Sequence, residues 1–117
     1  MLQEFSFLIP VVRNGNRQLH HSKVWTWLES WLLKRFGGFS TDSEPVRGSW
    51  RSDAGEIVND QSDRYYVALD PEKADVSHLR QLLAVACDKF DQECIYLRHA
   101  DGSVEFVEFV DSVKTVS

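Results

Sequence analysis

The chain has 117 residues, of which 43% are hydrophobic and 26% charged, with a net charge of −5. That length suits a single domain over residues 1–117 with a real core and no need of staples. The acidic balance argues against a nucleic-acid-binding domain, and no apolar run reaches the roughly 18 residues that a membrane span needs.

The first residues, Met1 to Glu4, carry no positive region, and the apolar run that follows is short and interrupted by Pro10. A secretory signal is therefore not expected, and residence in the cytoplasm is. The two cysteines, Cys87 and Cys94, form no framework and are expected as reduced thiols.

Residues 3–12 alternate. Phe5, Phe7, Ile9 and Val11 point one way, and Glu4, Ser6, Leu8 and Pro10 the other, which predicts a strand with one covered face. Residues 13–16 are rich in turn formers. Residues 22–36 predict a helix with Ser22 as N-cap, Lys34 and Arg35 in the last turn and Gly37 at its end. Its apolar stripe is Val24, Leu28, Trp31 and Leu32, flanked by Trp25 and Trp27.

A long hairpin follows. Its strands are placed at residues 45–51 and 64–69, with a polar loop over 52–61 between them. Trp50 and Tyr65 are expected to face the core. A second helix over residues 76–91, capped by Asp75, buries Val76, Leu79, Leu82, Leu83, Ala86, Cys87 and Phe90 along one arc. Asp101-Gly102 then signals a two-residue hairpin. That register sets Arg98 opposite Glu105 and Leu97 opposite Phe106. It turns Phe106 to the core and Val107 away from it. Residues 111–117 read as a tail.

The order β-α-β-β-α-β, with one more strand at the C-terminus, is that of an α+β ferredoxin-like split βαβ sandwich. Two helices then lie on one face of an antiparallel sheet. Phe39-x-Thr41, Gly48-Ser49-Trp50-Arg51, Gly55-x-Ile57, Tyr66-Val67 and Phe90-Asp91-Gln92-Glu93 resemble a family of small bacterial proteins of uncharacterised function. The resemblance spans residues 36–97. It implies the same ferredoxin-like fold and brings no activity with it.

No catalytic, cofactor or metal motif stands out. His20-His21, His78 and His99 lack metal-ligand spacing, and no metal or cofactor is expected. Asp53, Glu56, Asp60 and Asp63 read as solvated loop charge. Arg47, Arg51 and Arg64 are candidates for clamping an anion from a common sheet face. The face away from the helices presents Leu8, Tyr66, Tyr96, Arg98, Val107 and Phe109, apolar groups edged by the charges of Glu4, Arg64, Arg98 and Glu105, as an interaction surface. The expected function is thus a non-enzymatic binding module for a protein partner or a second copy of itself, an inhibitor among the options. The alternative is a small-molecule- or anion-binding protein or enzyme of a ferredoxin-like dimeric type, with a pocket near Trp25, Trp27, Trp50 and His99.

Overall fold

Phe5, Phe7 and Ile9, set at period two, turn one face of the first strand, β1 (Gln3–Arg13), into the core, where all three are buried. The structure, a computed structural model, describes residues 1–109. The expected tail at residues 111–117 lies outside them.

Asn14 and Gly15, with φ of 50° and 78°, form a tight turn into β2 (Asn16–Arg17), which pairs with the end of β1. The first helix, α1 (Ser22–Phe36), is capped by His21 rather than Ser22, because the His21 ring Nδ1 accepts the Lys23 N–H at 3.0 Å. Gly37 ends the helix at φ 85°, its N–H donating to the Leu33 carbonyl. Leu28 and Leu32 are buried as the stripe requires, but Trp31 is 46% exposed at the stripe's edge.

The chain then adds β3 (Ser40–Thr41), β4 (Val46–Arg51) and β5 (Ile57–Leu69). The hairpin is longer than expected. Ser52 donates to the Glu56 carbonyl and Gly55 to that of Ser52, so the loop is only Asp53-Ala54-Gly55 and Ile57 pairs with Arg51. Trp50 pairs with Val58, on the same side as Arg64 and Tyr66. That side faces away from the helices, so Trp50 is 44% exposed instead of sitting in the core. Tyr65, of opposite parity, is buried as expected.

The second helix, α2 (Asp75–Lys89), buries Leu79, Leu82, Leu83, Ala86 and Cys87 as the arc predicts. Asp75 is its first helical residue and accepts the Asp70 N–H at 3.0 Å. The last two strands are β6 (Cys94–Arg98) and β7 (Val104–Glu108). Their loop has three residues, Ala100-Asp101-Gly102, because His99 N–H donates to the Ser103 carbonyl. Leu97 therefore faces Glu105, and Ile95 faces Val107. This one-residue difference from the expected register reverses every side chain of β7. Phe106 is 63% exposed, while Val107 is 8% exposed.

All pairings are antiparallel, in the order β3-β5-β1-β6-β7, with β4 sharing the β5 edge with β3. Both helices join one core cluster with the inward residues of β1, β5, β6 and β7. The arrangement is an α+β sheet with two helices, consistent with a ferredoxin-like fold.

Candidate functional site

The sheet face away from the helices is crossed by one row of three residues. Tyr66 of β5 and Arg98 of β6 both pair with Ser6 of β1. Ser6 is small, so it makes a low floor between two large walls. In the next row Arg64 pairs with Leu8. The pairs between β1 and β6 stop at Ser6 toward the N-terminus. There a groove of about 530 Å³ opens, lined by Glu4, Ser6, Arg64, Tyr66, Arg98 and His99.

The Tyr66 wall is held from behind. The Tyr66 hydroxyl donates to the Asp42 carboxylate, 3.0 Å from Oδ1. Arg64 has its Nε buried without a hydrogen-bond partner among the described residues. The His99 ring lies edge-on to Phe5 at 5.3 Å, with Nε2 2.7 Å from Glu105 Oε2. Glu105 in turn accepts both Nε and a terminal N–H of Arg80, at 2.7 and 2.9 Å. The hydrogen bond from Arg80 holds the Glu105 carboxyl below the usual carboxylate range, against the opposing effect of burial, with His99 adding to Arg80.

The residues expected to form a binding surface divide. Leu8, Tyr66 and Tyr96 are half-buried and Arg98 exposed on the open face. Tyr96 meets Phe106 edge-on at 5.9 Å. Val107 does not belong to this face: the shifted register turns it into the core. Phe109 packs against the same core cluster. The three arginines do not share a face either. Arg47 pairs with Gln61 and Arg51 with Ile57, odd-numbered positions of β5, whereas Arg64 is even-numbered and points to the other side. Arg64 joins Arg98 instead.

A second groove, about 320 Å³, lies where β4 and β5 meet the turn after β1, lined by Arg47, Gly48, Ser49, Asn59 and Asp60. Three of its polar side chains, Ser49, Asn59 and Asp60, already have partners. Ser49 donates to Asn59, and Trp50 Nε1 donates to Asp60 Oδ2 at 3.0 Å. The expected pocket near Trp25, Trp27 and Trp50 does not form as one site. Trp25 stacks among Tyr65, Phe90 and His20, and Trp50 lies on the opposite face.

The remaining candidates are structural. His20 lies 2.9 Å from the Pro10 carbonyl, and His78 meets the Arg35 guanidinium. Burial pushes the Cys87 thiol up to about 12 and raises that of Cys94, so neither is poised as a thiolate. Among the described residues, no three His, Cys, Asp or Glu side chains gather to hold a metal. Nor is any described helix long and apolar enough to cross a membrane.

No protein-family model matches the chain, and no curated protein matches it. Two solved structures are similar. A phage SAM lyase in complex with S-methyl-5′-thioadenosine has a TM-score of 0.65 at 15% identity, covering 92% of this chain and 89% of that one. A phage SAM lyase in the apo state has a TM-score of 0.57 at 15% identity, covering 90% and 87%. The likeness is one of fold. The expectation of a non-enzymatic protein-binding module is corrected by it: both of these structures are lyases, and one of them is in complex with a small molecule.

Proposed function

We propose that the protein binds, and acts as an enzyme on, a small molecule of the S-adenosylmethionine class in the groove between β5, β1 and β6. The observation that carries the reading is the fold likeness to the lyase that holds a thioether nucleoside. The groove adds chemical sense to it. S-adenosylmethionine carries a sulfonium and an ammonium, a carboxylate and a flat base. The groove offers a carboxylate in Glu4, two guanidiniums in Arg64 and Arg98, and an aromatic ring in Tyr66. Opposite charges meet, and the ring can stack on the base or face the sulfonium. Its volume lies in the range of small-molecule sites. With this reading goes residence in the cytoplasm.

Calorimetric titration with S-adenosylmethionine and with S-methyl-5′-thioadenosine tests the binding. Chromatography of the reaction mixture for released methylthioadenosine tests the chemistry. Both ligands are expected to bind, and Tyr66→Ala is expected to weaken both about tenfold or more. A wild-type protein that binds neither compound and releases no thioadenosine ends the reading.

A further inference from the structure

We infer that Arg64 and Arg98 form a carboxylate subsite that distinguishes a ligand with an amino-acid end from one without it. The argument begins with pairing. Arg64 lies opposite Leu8 on one side of β1, and Arg98 opposite Ser6 on the other. Two strand spacings across the sheet and two residues along it, together about 12 Å, separate their backbones. Both side chains stand on the face away from the helices and line the same groove. Two long guanidinium side chains placed so can converge on one group above the Ser6 floor.

Neither guanidinium is satisfied within the protein. Among the described residues, the side chain of neither Arg64 nor Arg98 makes a hydrogen bond or an ion pair, and Arg64 Nε is also buried. Arg17, Arg47 and Arg51 are also without such partners among the described residues, so what sets this pair apart is that both line one groove and that the Nε of Arg64 is shut away from water. Arg80, by contrast, is doubly bonded to Glu105. Glu4 lines the groove yet bonds neither arginine. A buried guanidinium N–H without an acceptor is a cost that a planar oxyanion removes, and a carboxylate matches the fork of N–H donors with two oxygens. Lysine could supply the charge but not the fork.

The inference deepens the proposed function and rests on it for the choice of ligand. S-adenosylmethionine ends in a carboxylate, and S-methyl-5′-thioadenosine does not. The subsite therefore favours the former. The thioadenosine, which has no amino-acid end, has nothing to offer these two arginines.

The test is calorimetry on the full chain and on Arg64→Gln, Arg98→Gln and Arg64→Lys. The probes are S-adenosylmethionine, S-methyl-5′-thioadenosine and L-methionine. Each glutamine variant is expected to lose tenfold or more in affinity for S-adenosylmethionine and to keep its affinity for the thioadenosine, which also shows that the variant is folded. Arg64→Lys is expected to recover only part of the loss. Equal weakening of both nucleosides, or no weakening of S-adenosylmethionine, overturns the subsite. If the wild type binds neither nucleoside, the adenosyl reading fails on its own. The subsite then stands only if L-methionine binds the wild type and not Arg64→Gln, and it falls otherwise.

Discussion

His99 Nε2 lies 2.7 Å from Glu105 Oε2 at the lip of the groove, and the same carboxylate is clamped from the other side by Arg80 of α2. The hairpin that carries both residues is thereby tied to the helix layer. Glu105 is held below its ordinary value of 4.5, chiefly by the hydrogen bond from Arg80. A carboxyl lowered by folding stabilises the native state fully above that ordinary value. The contribution is lost as pH falls through the lower folded value. Urea unfolding across the acid range should thus show stability dropping below about pH 4.5. Glu105→Gln should flatten that limb. An unchanged acid limb would show that the clamp does not contribute.

Tyr65 joins two kinds of interaction. Its ring stacks on Phe7 at 5.2 Å, and its hydroxyl donates to Glu29 Oε2 at 2.7 Å. Burial, and then the bond to Glu29, raise its pKa far above the ordinary tyrosine value of 10.0. Its share of stability is complete below that value and declines as pH rises beyond it, because the unfolded chain ionises first. Tyr65→Phe should cost about 1–2 kcal/mol from the lost hydrogen bond. Tyr65→Ala should cost about 3–5 kcal/mol from the lost ring. In an alkaline absorbance titration, one of the three tyrosines should ionise only on unfolding, and Tyr65→Phe should abolish that late phase.

The register of the C-terminal hairpin can be tested side chain by side chain. Gly102, at φ 90°, completes a three-residue loop in which its N–H donates to the His99 carbonyl at 3.0 Å. Val107→Asp would bury a charge beside Ile95 and should cost roughly 3 kcal/mol or more. Phe106→Ser lies on the exposed side, where only the edge-on contact with Tyr96 is lost, and should cost no more than about 1 kcal/mol. Gly102→Ala should cost about 1 kcal/mol from the left-handed backbone alone. Reversed sensitivities at 106 and 107 in chemical denaturation would restore the two-residue loop.

That contrast also shows what a single sequence can and cannot carry. Alternation in Phe5-Ser6-Phe7-Leu8-Ile9 and the arc from Leu79 to Cys87 report one-sided burial directly, so β1 and α2 were readable. Loop length was not. Asp101-Gly102 fits a two-residue turn and also the last two places of a three-residue one, and local chemistry does not choose between them. The same ambiguity hid the true length of β5 beyond Asp53-Ala54-Gly55. The groove was half legible. Tyr66 and Arg98 are expected on the open face with Arg64 at its charged rim, while Arg64 is also expected to share a face with Arg47 and Arg51 as an anion clamp. The pairing of β1 with both β5 and β6 is what sets Arg64 and Arg98 across one groove, and no local pattern records that pairing. Counting parity along β5 would have separated Arg64 from the other two.

Gly48 offers a test of close approach. A Cβ added there would lie 2.8 Å from Asp60 Oδ1, on the residue paired with it. The other oxygen of Asp60 accepts the Trp50 indole N–H at 3.0 Å, so the bare glycine leaves room for a carboxylate that holds the ring. Two effects of Gly48→Ala then compete. Alanine restrains the unfolded chain and stabilises by about 0.4–1 kcal/mol. Turning Asp60 aside breaks an exposed hydrogen bond worth about 0.5–1.5 kcal/mol. The single variant should therefore be near neutral or mildly destabilised. In an Asp60→Ala background the obstacle is gone, and the same change should stabilise. Chemical denaturation of the four proteins gives the coupling between the sites, expected near 1 kcal/mol. A coupling within about 0.3 kcal/mol of zero would mean that Asp60 moves freely and that the glycine is not needed for it.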